Sequence, residues 1–236
     1  MPMLRRVSVI LALYFCCALT FARQNNDPLI NYGVKAGFSS TMYEVNDLIV
    51  AGKPISDYMT RSEISLFYTA FTRLNIDKHY LQTELTYNIS NYTLEFATEQ
   101  WSSSALPYDK STITTKITGF EIPLYYGYHI IKEGPYGMSF FAGPKAKFIL
   151  VNSSRHWFKN FPYEHITENV TPVNFSLMAG FGVNIARVFF DFSFEYGLNN
   201  ISNGFTTIDL EGNEIQQGLI FNRRKNVLSF SIGFMF

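Results

Sequence analysis

The chain is poor in cysteine, poor in charge, and lacks any late apolar run long enough to cross a bilayer as a helix. Its two cysteines are Cys16 and Cys17, both close to the N-terminus. Everything after them is free of thiols, which excludes a disulfide framework and any thiolate-based metal or nucleophile site there. Charged residues make up 16% of the chain, against about 25% in an ordinary soluble domain. The 19 basic residues match 19 acidic ones; setting aside Arg5 and Arg6 with the leader described next leaves 17 against 19. That balance excludes a basic arm for nucleic acid. Past the first 22 residues no segment approaches 18 consecutive apolar residues, so no transmembrane helix is predicted.

The N-terminus has the plan of a secretory signal peptide. Arg5-Arg6 precede an apolar run from Val7 to Phe21, followed by the small Ala22 and the polar Arg23-Gln24-Asn25-Asn26. A positive region, a short apolar region and a small residue predict cleavage after Ala22, giving a signal peptide of 1–22 and a single domain of 23–236. The run of about 15 residues is shorter than the ~20 a spanning helix needs. Anchoring as a lipoprotein through Cys16 or Cys17 is disfavoured by the bulky Tyr14-Phe15 just before them.

What the chain does have is aromatic residues, 17% of the total, set at a period of two. From Asn226 to the end, Leu228, Phe230, Ile232, Phe234 and Phe236 alternate with Ser229, Ser231, Gly233 and Met235. That alternation is a β-strand with one greasy and one small or polar face. Seven earlier segments read the same way: Asn31–Ser40, Thr60–Leu74, His79–Thr93, Thr112–His129, Tyr136–Val151, Pro172–Ile185 and Val188–Leu198. Pro123 inside the fourth predicts a bulge. Asn75–Lys78, Ile130–Pro135 and Ala186-Arg187 read as short turns. The stretches 41–58, Glu95–Ser111, Asn152–Thr171 and Asn199–Lys225 read as long loops. Long and short connections therefore alternate through the whole chain. The prediction is an all-β fold: an eight-stranded antiparallel up-and-down transmembrane β-barrel with four long extracellular loops and three short periplasmic turns.

Charge within the strands falls on the small-residue face: Lys35, Arg73, Glu84, Glu121, Lys145, Lys147, Asp191 and Glu195. An eight-stranded barrel has room inside only for side chains, and buried charge is costly unless paired. Four basic and four acidic residues, interspersed with inner-face glycines, thus predict a plugged lumen of mutually paired charges and no open channel. A lipocalin-like barrel, with the faces reversed, is the soluble alternative. The Phe-rich last three strands ending at Phe236 disfavour it.

No catalytic, cofactor or metal site is predicted. The histidines are His79, His129, His156 and His165, with no metal-ligand spacing among them. Glu84, Glu121 and Glu195 fit lumen ion pairs better than an acid–base set. Aromatic residues gather near the long loops, and Arg155, Trp157 and Phe158 form the candidate interaction patch, with interface packing as the plainer reading.

Several of these segments resemble an outer-membrane β-barrel family widespread in Bacteroidetes that includes PorT-like proteins and OmpA-like eight-stranded barrels. Tyr32-Gly33-Val34-Lys35-Ala36-Gly37-Phe38 resembles its opening strand, Leu81-Gln82-Thr83-Glu84-Leu85 its Leu-Gln-Pro-Glu-Leu stretch, and Phe120-Glu121-Ile122-Pro123-Leu124 its Leu-Glu-Ile-Pro-Leu. Ala142-Gly143-Pro144, Ala179-Gly180-Phe181-Gly182 and Tyr196-Gly197-Leu198-Asn199-Asn200-Ile201 follow in the family's order. Two departures stand out: Thr83 replaces a proline, and Glu195 sits where many members carry arginine. The resemblance implies a bacterial outer-membrane barrel in contact with outer-membrane lipid and, its motifs being structural, points to no reaction; the expectation is a monomeric, non-enzymatic barrel without cofactor. It also implies that barrel-assembly machinery reads Phe230, Phe234 and Phe236 as a C-terminal signal. Partners expected through the long loops are other envelope proteins. An accessory role in protein secretion is the alternative, and a lipid-modifying enzyme a more distant one.

Overall fold

The structure, a computed structural model, describes residues 28–50, 52–62, 64–97, 109–133, 135–150, 155–160, 165–208, 214–216 and 219–236. The expected signal peptide lies outside the described residues, as do Trp101, Phe161 and Tyr163, three of the aromatic residues in the predicted long loops. In chain order the strands are β1 (Ile30–Val50), β2 (Lys53–Pro54), β3 (Tyr58–Ser62), β4 (Ile64–Ile76), β5 (His79–Ala97), β6 (Lys110–Glu133), β7 (Tyr136–Ile149), β8 (Arg155–Lys159), β9 (His165–Val170), β10 (Val173–Ile185), β11 (Val188–Gly197), β12 (Ser202–Ile208), β13 (Glu214–Gln216) and β14 (Leu219–Met235).

Eight of them close an antiparallel ring in the order β1-β4-β5-β6-β7-β10-β11-β14, with β14 returning to β1. Neighbours in sequence are neighbours around the ring, so each strand needs only a connection at one end to reach the next. Three of those connections are tight: Asp77-Lys78, the turn at Pro135, and Ala186-Arg187. Asp77 and Ala186 both sit at φ 54, the left-handed region that lets two residues reverse a strand.

The alternation seen in the sequence sorts residues in and out. Along β5, Leu81, Leu85 and Tyr87 face outward while Gln82, Glu84, Thr86 and Asn88 are buried. The same belt continues with Val34 and Phe38 on β1, Ile122 and Leu124 on β6, Leu177 and Phe181 on β10, Phe192 and Phe194 on β11, and Phe230 and Phe234 on β14. An apolar girdle running right round the molecule far exceeds the few hundred Å² that a soluble monomer exposes. It is the outer surface of a barrel standing in lipid.

The strands run on past this belt, and here the sequence expectation needs correction. Three of the four long connections begin or end as wall: β1 extends to Val50, β5 to Ala97, β6 starts at Lys110 and β14 at Leu219. β3 continues the line of β4 by pairing with β5, and β8 continues β7 by pairing with β6. β9, β12 and β13 make a separate three-stranded sheet at the same end. These segments looked like loops because their outward residues are polar, as a wall outside the membrane requires. A second correction concerns Pro123. Pairing passes it without a shift, Thr83 opposite Leu124 and Thr86 opposite Glu121, and the irregularities fall at His129/Ile131 and Val45/Asp47. Thr83 Oγ1 donates to the Pro123 carbonyl at 3.2 Å. The proline thus removes a donor without changing register.

Candidate functional site

The lumen is the place where the chain's charged side chains converge, and it is filled in layers. Nearest the tight turns, Phe71 and Phe189 meet edge to face at 5.3 Å, and each ring end lies over an inner glycine, Gly33 and Gly233 respectively. Arg73 stacks on Tyr80 at 4.2 Å and donates from Nε to Gln82 Oε1 at 2.5 Å. Gln82 Nε2 in turn donates to Glu84 at 2.7 Å.

Above this layer, Lys35 on β1 bridges Glu84 on β5 at 2.6 Å and Asp191 on β11 at 3.1 Å. One lysine thereby ties three walls of the barrel together. The next layer repeats the device with Lys145 on β7, which pairs with Glu121 on β6 at 2.8 Å and also with Glu195 on β11. Lys147 shares Glu121 at 3.1 Å and donates to Asn88 Oδ1 at 3.3 Å. Both members of every one of these pairs are more than nine-tenths buried as side chains. All eight charges singled out from the sequence therefore line the interior, seven in direct ion pairs and Arg73 linked through Gln82.

Two interior cations escaped the sequence reading. Arg223 and Lys225 were assigned to a loop, but β14 begins early enough to carry both inward. Arg223 is fully buried over Phe221 at 4.3 Å and Tyr92 at 5.1 Å. The signal was present as the alternation Phe221, Arg223, Lys225, Val227, which continues the phase of the last strand.

Beyond Arg223 the interior changes character. Leu48, Val50, Ile55, Leu94, Phe96, Ile113, Phe205 and Phe221 form one continuous buried cluster with Tyr92, Ile117, Ile149 and Ile201. This is an apolar core of the kind found in water-soluble proteins, and it caps the ionic layers beneath it. Among the described residues a cavity of ≈ 40 Å³ lies around Lys35, Lys145 and Lys225 and one of ≈ 20 Å³ around Lys147 and Lys225. Each is room for a few waters at most.

The candidate loop patch is divided by the structure. Trp157 on β8 is 49% exposed, whereas Phe158 points the other way, half-buried and edge to face with Phe205 at 6.1 Å. The Arg155 side chain lies outside the described residues, as do those of His156 and His165. Of the other histidines, His79 contacts the Tyr126 hydroxyl on the outer wall and His129 is buried beside Tyr80. At the C-terminus, Phe230 and Phe234 face outward. Phe236 packs on Phe234 at 5.6 Å, and its backbone N–H donates to the Tyr32 carbonyl at 2.8 Å.

Comparison with known proteins agrees with this architecture. A family model described as "Outer membrane protein beta-barrel domain" matches residues 22–203. No curated protein matches the chain in sequence. Among solved structures, the outer membrane protein OprG from Pseudomonas aeruginosa aligns at TM-score 0.50 and 10% identity over 87% of this chain and 95% of its own. Neisserial surface protein A aligns at 0.41 and 12% identity, covering 87% and 97%. The attachment invasion locus protein Ail of Yersinia pestis aligns at 0.37 and 10%, covering 89% and 100%.

Proposed function

Since this chain belongs to the outer membrane protein β-barrel domain family and resides in the outer membrane, we propose that it is a closed, non-enzymatic barrel whose projecting end contacts other envelope or surface components. The observation that carries this reading is the filling of the lumen by two unlike materials. Ion-paired layers occupy the membrane zone and an apolar core seals the end above it, so the barrel offers transport no continuous aqueous path. The carboxylates that acid–base chemistry would need are held by lysines. What remains for interaction is the outer surface of the projecting strands, where Trp157 stands exposed beside Lys159 and Thr114.

The test is electrical and biochemical. Purified protein in planar bilayers is expected to show no steady single-channel conductance; regular openings would overturn the closed-barrel reading. A photo-crosslinker at Trp157 in intact cells is expected to capture envelope or surface partners, and no adducts above those at lipid-facing Leu85 would remove the contact role. An accessory function in protein secretion, which the PorT-like sequence features favour, makes a sharper claim on the same experiment: the captured proteins would be subunits of a secretion apparatus. In biogenesis, Phe230, Phe234 and Phe236 are the residues proposed to be read by the assembly machinery.

A further inference from the structure

We propose that the lumen binds a small monovalent anion between Lys225 and Lys147. The two ionic layers differ in their charge balance. In the layer nearer the turns, Arg73 and Lys35 face Glu84 and Asp191, two against two. In the upper layer Lys145, Lys147 and Lys225 face only Glu121 and Glu195. Lys145 and Lys147 take up both carboxylates. The Lys225 side chain, in a residue only 8% exposed, forms no hydrogen bond or close ion pair with any described residue, and Glu121 and Glu195 act on it only at longer range. A buried cation with no counter-charge in contact is strongly disfavoured, and Lys225 lines both a ≈ 20 Å³ and a ≈ 40 Å³ cavity.

The cavities are not equivalent for a negative ion. The ≈ 40 Å³ cavity is lined by Glu84, Glu121 and Glu195, which repel an anion. The other, ≈ 20 Å³, lies where β10 begins and β11 ends, and is lined by Lys147, Lys225, Ser176 and Asn174, with Glu195 its single carboxylate. Glu195 is already paired to Lys145. The Ser176 hydroxyl, in a residue 5% exposed, makes no side-chain hydrogen bond with a described residue and completes a donor set of two ammonium groups and a hydroxyl. Space for one water-sized particle selects a halide-sized ion over a carboxylate- or phosphate-headed lipid. β10 and β11 are also the strands that project least, so an ion from the aqueous side crosses the least wall there.

The full-length protein crystallised from sodium bromide tests this directly. An anomalous peak is expected in contact with Lys225 Nζ; bromide peaks elsewhere only, or none, would overturn the proposal. In solution, the unfolding midpoint in detergent is expected to rise by about 3–6 °C when bromide replaces gluconate at equal ionic strength and reaches roughly ten times its dissociation constant. Lys225→Met is expected to abolish that difference while leaving the gluconate midpoint unchanged or higher. A halide effect that persists in Lys225→Met would refute the site. Should the variant fail to assemble, the wild-type anomalous map decides alone.

Discussion

Lys145, like Lys35 in the layer below, neutralises carboxylates from two different strands with one ammonium, here Glu121 on β6 and Glu195 on β11. Its removal does more than delete two contacts. It leaves Glu195 without an ion pair in a site closed to bulk water, and breaking a buried pair from one side costs about 3–5 kcal/mol. Lys145→Met is accordingly expected to lower stability by about that amount in denaturant titration of the detergent-solubilised barrel. The double change Lys145→Met and Glu195→Gln, which removes both members of that pair and leaves Glu121 with Lys147, is expected to recover much of the loss. Equal destabilisation of the single and double variants would show that the charges are not held as a unit. Inner glycines act at the same scale by omission. A Cβ on Gly143 would lie 2.1 Å from the Leu124 carbonyl oxygen, so this glycine is where two strands approach too closely for a side chain.

At the scale of the strand, one chain segment serves two solvents. On β5 the apolar positions are Leu81, Leu85, Tyr87 and Ile89, facing out, and then Tyr92, Leu94 and Phe96, facing in. No bulge intervenes: pairing with β6 is unshifted from His79 to Ala97. The apolar set changes face because the environment changes, lipid outside below and water outside above. β6 makes the same exchange, with Ile113 and Ile117 inside and Phe120, Ile122 and Leu124 outside. Leu85→Arg, within the belt, is therefore expected to cost up to about 2–4 kcal/mol. Thr93→Arg, on the same face further along the same strand, is expected to stay within about 0.5 kcal/mol. Comparable losses at the two positions, measured by refolding into lipid vesicles, would place Thr93 in the membrane and contradict the exchange. This is also why the sequence yielded only part of the molecule. Eight strands, their order, their lipid and lumen faces and the eight interior charges are legible from a single rule, apolar residues outside at every second position. The projecting walls break that rule by reversing it, so the strand reads as ending at Thr93, Glu95 reads as loop, and Arg223 and Lys225 read as loop with it. The pairing of Lys35 with both Glu84 and Asp191 was not legible at all, since which inner charges meet depends on the stagger of strands around the ring.

The whole molecule is a ring whose ends must find each other, and closure rests on β14, the last strand, pairing with β1 on one side and β11 on the other. Until that pairing forms, β1 and β14 are open edges and every interior charge is exposed to the wrong partner; once it forms, Lys35 on β1 reaches Asp191 on β11 across β14. Phe236 stands at the end of this process: its backbone N–H donates to the Tyr32 carbonyl, its ring meets Phe234, and it sits half-buried on the outside. If its importance were structural, its loss would weaken the finished barrel. If Phe236 is read during assembly, its loss should spare the finished barrel and reduce how much is made. Deleting Phe236 is expected to lower the outer-membrane level in cells several-fold, while the same variant refolded from denaturant into detergent unfolds within about 1–2 kcal/mol of the wild type, the order expected for contacts at a chain end. Normal cellular levels would show that assembly does not depend on the terminal ring, and a large loss of refolded stability would assign Phe236 to the wall instead of to recognition.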